Sequence, residues 1–464
     1  MNTVNNGQDI SQGASRGISK ERIAAELDRG RRRSLGLTLD ALDDEELLAQ
    51  HSPLMSPLVW DLAHIGNYEE QWLLRAAAGR EALRPDIDHL YDAFENPRAE
   101  RITLPLLRPR EARDYNDRVR REVLDALDGV DLTVPAPRPP DDPHAPPGPP
   151  GLLDAGFVYH MVIQHEHQHD ETMLATHQLR RGAPVLLEET PHVAPLRPPA
   201  EAEALVPAGP FTMGTDDDPW AYDNEKPSVT VDLPAYFIDT VPVTNAAYRE
   251  FMDDGGYQTR RWWSPDGWEW KEKRGAVSPA FWDREGQEWS RRRFGRRELV
   301  PPDEPVQHVN FHEAQAYAAW AGKRLPTEAE WEKAARFDPA TGRSRRHPWG
   351  DEEPAARHAN LGQRRLGPAT VGRHPDGASP LGVHQLIGDV WEWTSTTFHG
   401  YPGFRAFPYR EYSEVFFDSG YKVLRGGSWA THPTAVRSTF RNWDLPIRRQ
   451  IFSGFRCARD AEPA

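Results

Sequence analysis

Two patterns of hydrophobic and polar positions divide the chain. From Ser19 the apolar positions run at helical spacing through Ile23, Leu27, Leu35 and Leu37, with Ser19 as a cap and Glu21 early. A second helix is expected over Leu54 to Ala78, because Trp60, His64, Tyr68 and Trp72 recur every four residues on one face. A third covers roughly Pro109 to Leu127. A fourth covers Ala155 to Arg181, where Met161, His165, His169 and Met173 share a face. Four helices with one long connection predict a four-helix bundle over 20–190. The connection at 135–150 is so rich in proline that neither helix nor central strand is open to it, and an extended loop is expected.

Residues 191–207 are again proline-rich and read as a linker, and residues 1–19 as a polar, disordered tail. From 208 to 464 the pattern changes. Short β-like runs at Phe211–Met213, Val229–Val231, Tyr236–Ile238 and Val423–Leu424 alternate with loops rich in Gly, Asp, Asn and Trp. Helical periodicity stands out at Phe311 to Ala321 and Glu328 to Phe337. The second half therefore reads as a loop-rich α+β domain whose core is aromatic.

Composition narrows the function. With 56 Lys and Arg against 71 Asp and Glu, the net charge of −15 argues against a sequence-blind grip on nucleic acid or an anionic membrane. No apolar run reaches membrane-spanning length, and Met1 to Lys20 lacks the apolar core of a secretory signal. Cys457 is the one cysteine of the 464 residues, which excludes intrachain disulfides and cysteine-based zinc ribbons. A protein of the reducing cytoplasm is expected.

The strongest chemical signal is His165-Glu-His-Gln-His169. His165 and His169 are one helical turn apart, so two neutral imidazoles point the same way and can share a cation. His167 faces elsewhere. His64 on the second helix is a candidate third ligand, and Asp61, Glu69 and Asp170 are candidates to orient the rings. The same string satisfies H-E-x-x-H, which in a zinc hydrolase would make Glu166 the base, with Glu188 or Glu189 as a further ligand. A non-catalytic reading, a binding domain beside a structural bundle, also stands at this level.

The second half carries an ordered set of strings: Gly209-Pro-Phe-Thr-Met-Gly214, Arg324-Leu-Pro-Thr-Glu-Ala-Glu-Trp-Glu332, Pro348-Trp-Gly-Asp351, Gly388-Asp-Val-Trp-Glu-Trp-Thr394, Leu424-Arg-Gly-Gly-Ser-Trp429 and Gly454-Phe-Arg456. Together they resemble the formylglycine-generating, sulfatase-modifying domain, a variant of the C-type-lectin fold. Formylglycine-generating enzymes use a pair of active-site cysteines, and a lone Cys457 argues against that activity here. The first half, with Trp60-Asp-Leu-Ala-His64 and the His165/His169 pair, resembles a DinB-like bundle with a three-histidine metal site. The two fused in this order, with Tyr91-Asp-Ala-Phe-Glu-Asn-Pro-Arg98 and Phe440-Arg-Asn-Trp-Asp444, resemble the sulfoxide synthases of the ergothioneine pathway, the hercynine oxygenases.

That resemblance implies an Fe(II) oxidoreductase that joins hercynine to γ-glutamylcysteine with O2, with free cysteine as the alternative thiol. Small molecules would then be its partners, and a monomer or small homo-oligomer is expected. By the same resemblance His64, His165 and His169 hold the metal, and Gln168, Asn442 and Trp443 line the hercynine site. Asp444 and Arg448, with Arg98 or Arg101, grip the thiol substrate. An active-site tyrosine donates the proton, drawn from Tyr401, Tyr409 and Tyr412, with the Tyr409/Tyr412 pair favoured.

Overall fold

Ser19 opens α1 (Lys20–Gly36) by accepting from the backbone N–H of Arg22. The computed structural model describes residues 18–132, 151–188 and 196–461. The expected tail to residue 17, the extended loop at 135–150 and the start of the 191–207 segment lie outside the described residues.

A short α2 (Asp44–Leu48) leads into α3 (Leu58–Glu69), which passes into π-helical turns at Glu70–Ala77. The long α4 (Pro109–Gly129) starts with Pro109 in its first turn, and α5 (Phe157–Leu179) follows Gly156, whose φ of 74° turns the chain. Helices α1, α3, α4 and α5 make the bundle, with Ile23, Leu27, Leu58, Leu62, Val119, Val123, Val162 and Leu174 buried between them. Gly66 lets α3 and α4 touch. A Cβ there would meet Asn116 Oδ1 at 1.8 Å, and Asn116 donates to the Leu62 carbonyl.

The second half begins with β1 (Glu203–Val206), inside the stretch that reads as linker by composition. Ala204 and Val206 point inward, and β1 pairs with β4. In chain order follow β2 (Gly209–Met213), β3 (Val229–Leu233), β4 (Tyr236–Asp239), α6 (Asn245–Asp253), α7 (Pro265–Arg274), β5 (Trp282–Glu285), β6 (Glu288–Arg293) and β7 (Arg296–Leu299). Then come α8 (Phe311–Trp320), α9 (Glu328–Arg336), β8 (Phe337–Asp338), β9 (Arg343–Ser344), β10 (Trp391–Thr397), β11 (Lys422–Arg425), β12 (Arg441–Asp444), β13 (Ser453–Gly454) and β14 (Ala458–Asp460). The sheets are β1-β4-β14, β12-β11-β10-β13, the meander β5-β6-β7 and two two-stranded ribbons.

With so little regular structure, the interior is held by aromatics and paired charges. Trp331, Trp393 and Trp429 are fully buried, and each indole N–H finds an acceptor: Glu392, the Val309 carbonyl and Gln307. Arg425 and Arg441 share Glu328, Arg425 also reaches Glu332, and Arg456 clasps Glu392, all at 2.7 Å. Removing one partner of such a buried pair costs about 3–5 kcal/mol, because the other charge is stranded. These charges are as much core as the tryptophans.

The two halves interlock along α5. Glu171 accepts from Trp391 Nε1, Ser428 and Thr431. Gln178 donates to the Arg292 carbonyl and accepts from the Phe294 N–H, and Arg437 donates to Gln164.

Candidate metal centre and cavity

The face of α3 that carries Trp60, His64, Tyr68 and Trp72 is buried against α5, and three imidazoles meet there. The ring centroids of His64 and His165 lie 5.1 Å apart, and His169 lies 4.6 Å from each. One nitrogen from each lies within 4.8 Å of the others, and the Nε2 atoms of His64 and His165 approach to 3.3 Å. Both rings of that closest pair are held neutral. Burial pushes His64 and His165 well below the usual imidazole range, and the neighbouring His169 pushes both in the same direction.

The tautomers are set from behind. His64 Nδ1 donates to the Tyr91 carbonyl at 2.7 Å, and His169 Nδ1 donates to Asp61 Oδ1 at 3.0 Å. Each bond places a proton on Nδ1 and a lone pair on Nε2, as a metal site requires. Trp60 stacks on His64 at 4.6 Å, and Tyr68 stacks on His165 at 3.7 Å. Three convergent imidazole nitrogens, two of them with the lone pair on Nε2 set by a bond behind the ring, fit a divalent transition metal, and three ligands on one side leave room for other groups.

Beside the triad lies a cavity of about 480 Å³. Arg98, Arg101, Gln168, Tyr412, Asn442, Trp443, Asp444 and Arg448 all line it, so the residues expected at a substrate site converge. Gln168 Nε2 donates to the Tyr412 hydroxyl at 3.3 Å, and Trp443 meets Tyr412 edge-on at 5.9 Å. Asp444 sits 3.6 Å from Arg448; burial raises its carboxyl while that arginine draws it back. Arg98 and Arg101 differ in situation. Arg101 is buried over the Trp60 ring at 3.5 Å and spends its donors on Asn96, Ser56 and Ala93, its pKa pushed down to about 10 by burial. Arg98 is exposed at the cavity wall, with long contacts to Leu54 O at 3.5 Å and Met55 Sδ at 3.9 Å.

The tyrosines also separate. Tyr409 shares a 3.0 Å hydrogen bond with Tyr68, which stacks on His165, and Tyr409 itself stacks on Trp72. Tyr401 is not brought to the site. It packs on Phe211 and Met213 beneath Arg441, 4.4 Å from that guanidinium, because the turn after β10 carries it into the second half's own core. Burial raises the Tyr68, Tyr409 and Tyr412 hydroxyls, so all three hold their protons.

The hydrolase reading fails on Glu166. Its carboxylate is turned away from the triad onto Arg31 at 2.8 Å, Ser34 at 3.0 Å and Arg120 at 3.3 Å. Burial would raise its pKa, but the two arginines outweigh burial and lower it. Glu188, offered as a further ligand, is bound to Arg293. Glu69 pairs with Arg31 and Arg120, and Asp170 serves His167, so of the three carboxylates only Asp61 backs a member of the triad.

Sequence reasoning assigned no role to Glu171 or Tyr68. Glu171 lines the cavity, its carboxyl raised by burial despite three donors. The signal was present: Gln168, Glu171, Thr172 and Ala175 follow the i, i+3, i+4, i+7 rule, and all four line the cavity. Tyr68 sits one turn after His64 on the same face.

Residues 26–173 match the DinB superfamily, and residues 189–461 match the sulfatase-modifying factor enzyme 1-like domain. A DinB-type helical bundle with a histidine triad, joined to a formylglycine-generating-type domain, defines the class: a two-part enzyme with a candidate metal centre in its helical half. The chain is 51% identical over 451 residues to the hercynine oxygenase of Mycolicibacterium smegmatis, spanning 96% of this chain and 100% of that protein. It is 52% identical over 449 residues to that of Mycolicibacterium thermoresistibile (95% of each) and 50% identical over 446 residues to that of Mycobacterium tuberculosis (95% and 99%). The chain belongs to the hercynine oxygenase family and is an oxygenase-type oxidoreductase. Among the described residues no helix is long and apolar enough to cross a membrane.

Proposed function

We propose that this enzyme couples the imidazole C2 of hercynine to the sulfur of γ-glutamylcysteine and delivers the product as a sulfoxide. The reaction balances as C–H plus S–H plus O2 giving C–S(=O) and water. One C–S and one S–O bond form, and O2 accepts the four electrons released. The observation that carries this reading is the meeting of His64, His165 and His169, two of them held in the Nδ1–H tautomer, beside a cavity lined by aromatic and charged side chains. His64, His165 and His169 would hold Fe(II), which when bound supplies O2 activation and acidifies a coordinated thiol. With the thiol ionised by the metal, the chain needs no cysteine of its own, and Cys457 is buried in the second half.

Trp443 and Tyr412 offer faces to a quaternary ammonium, which has no N–H to donate, and Gln168 and Asn442 offer polar contacts beside them. Asp444 suits an α-ammonium, while Arg448 and the exposed Arg98 suit carboxylates, which favours a thiol with charged groups at its far end. Tyr409 is the proton donor in this reading, held against Tyr68, whose ring lies on His165. Residues 20–190 supply the metal ligands, and 208–464 supply most of the substrate contacts.

The test is O2 uptake by anaerobically Fe(II)-loaded protein given each substrate alone and both together, with mass analysis of the product. Uptake that needs both, with a cross-linked sulfoxide, supports the proposal. Uptake only with free cysteine would reassign the thiol, and none with either would overturn the reaction.

A further inference from the structure

A second group of metal-ligating side chains lies on the other side of α5, away from the triad. Glu26 of α1, His167 of α5 and His432 of the loop between β11 and β12 each bring a ligand atom within 4.8 Å of the others, and all three are buried, at 8%, 2% and 7% exposure. The His167 and His432 rings stack at 3.7 Å.

Two of the three side chains keep a buried polar atom with no hydrogen-bond partner. His167 Nδ1 donates to Asp170 Oδ2 at 3.2 Å, and Asp170 is fixed in turn by Ser34 at 2.8 Å. That leaves a lone pair on His167 Nε2, which is buried and has no hydrogen-bond partner. Glu26 uses Oε1 on Arg29 at 3.2 Å, while its Oε2 is buried and likewise unpartnered. His432 Nδ1 accepts from the Thr434 N–H at 3.3 Å and lies 2.9 Å from Thr434 Oγ1, so an ion taken at Nε2 needs the ring proton to pass to Nδ1, where Thr434 Oγ1 can accept it. Leaving two buried polar atoms unmatched is costly, and a shared cation removes both penalties. A carboxylate behind a histidine is also the usual support of a metal-bound imidazole. His167 and His432 line the 480 Å³ cavity, which gives an ion a way in.

We infer that Glu26, His167 and His432 form a second metal site, for a borderline divalent cation of the Zn(II) class. Two imidazoles and one carboxylate suit such an ion, with water as the fourth ligand. Because the rings are stacked, seating the ion turns at least one of them about its Cβ–Cγ bond. The three ligands come from α1, α5 and the second half of the chain, so the ion ties the halves together. It also steadies the loop whose Ser428 and Thr431 hold Glu171 at the cavity wall.

The experiment is equilibrium dialysis of the full chain against Zn(II), with metal counted by mass spectrometry. Two equivalents are expected in the unsubstituted protein. One is expected in a His64→Ala/His165→Ala background and none when Glu26→Gln or His432→Asn is added to it. A background protein that is folded by circular dichroism yet binds no zinc overturns the site. If the background does not fold, Glu26→Gln alone decides: one equivalent supports the site, and an unchanged two overturns it. As a readout independent of stability, His432→Cys loaded with Co(II) should gain a thiolate charge-transfer band, and its absence also counts against the proposal.

Discussion

Asp61 Oδ1 accepts from His169 Nδ1 at 3.0 Å, one carboxylate of α3 fixing the orientation of one imidazole of α5. Asp61 is fully buried, and its second oxygen has no partner. The bond spans two helices, so it sets the tautomer of the ring and the register of the two helices together. Asp61→Asn is close to isosteric but no longer carries the charge that favours the Nδ1–H tautomer. The expected outcome is a loss of about 10–100-fold in metal affinity with helix content unchanged, read by Fe(II) or Co(II) titration followed by circular dichroism. An unchanged affinity would mean that the helices alone position His169.

Tyr409 and Tyr68 form one hydrogen-bonded unit, and Tyr401 stands outside it. Tyr409→Phe is therefore expected to divert turnover from sulfoxide to oxidised thiol while O2 uptake continues. Tyr68→Phe should shift the ratio the same way but less, since it removes the partner and not the donor. Tyr401→Phe should leave the ratio unaltered. Product analysis at matched O2 consumption separates the three, and a ratio unmoved by Tyr409→Phe would pass the role to Tyr412.

What could be read from the chain alone was whatever has a period or a fixed motif. The bundle was legible because Ile23, Leu27, Leu35 and Leu37, or His165 and His169, repeat at helical spacing. The expected second helix, from Leu54 to Ala78, starts only at Leu58, after Pro57, and changes winding at Glu70. The second half was legible in outline only. Helix α7 was missed although Ser264 caps it, Pro265 opens it and Gly275 closes it, because its WEWKEKR interior has no apolar stripe. The meander β5-β6-β7 was missed because EWSRRRFGRREL reads as a charged surface. Three of its arginines are paired off: Arg291 and Arg293 share Glu298, Arg291 also reaches Glu304, and Arg297 meets Glu285. At the site, it was the resemblance to the sulfoxide synthases that pointed to Asp444 and Gln168, both of which line the cavity, while the separate fates of Arg98 and Arg101, or of Tyr401 and Tyr409, depend on packing that no spacing encodes.

Arg101 and Arg98 should fail in opposite ways. Arg101 holds the Asn96, Ser56 and Ala93 oxygens and covers Trp60, so Arg101→Ala should cost about 2 kcal/mol or more of stability through lost charged hydrogen bonds. Arg98 carries little structure, so Arg98→Ala should leave the unfolding midpoint nearly unchanged and raise KM for the thiol substrate about tenfold or more. Denaturant unfolding paired with steady-state kinetics reads both. A raised thiol KM with intact stability for Arg101→Ala would reverse the two assignments.

Asp223 anchors the segment that carries both tyrosines. Its carboxylate accepts from the Phe407 N–H at 3.1 Å and from Ser413 Oγ at 2.8 Å, on either side of Tyr409 and Tyr412. Burial raises its pKa to about 6, with those two donors opposing it. A carboxyl raised above its unfolded value of 3.8 binds more protons in the folded than in the unfolded state between those two values. Its contribution to stability is therefore greatest in acid, declines as pH rises from about 4 to about 6, and is flat above. A shift of this size corresponds to about 3 kcal/mol at most. Asp223→Asn cannot ionise, so relative to the unsubstituted protein it should gain stability as pH rises from 4 to 7, whatever its offset in acid. Urea unfolding of both proteins at pH 4.5, 5.5 and 7 measures the difference. A difference that stays constant across that range would show that Asp223 titrates as an ordinary exposed carboxylate and does not hold the Phe407–Ser413 segment in its protonated form.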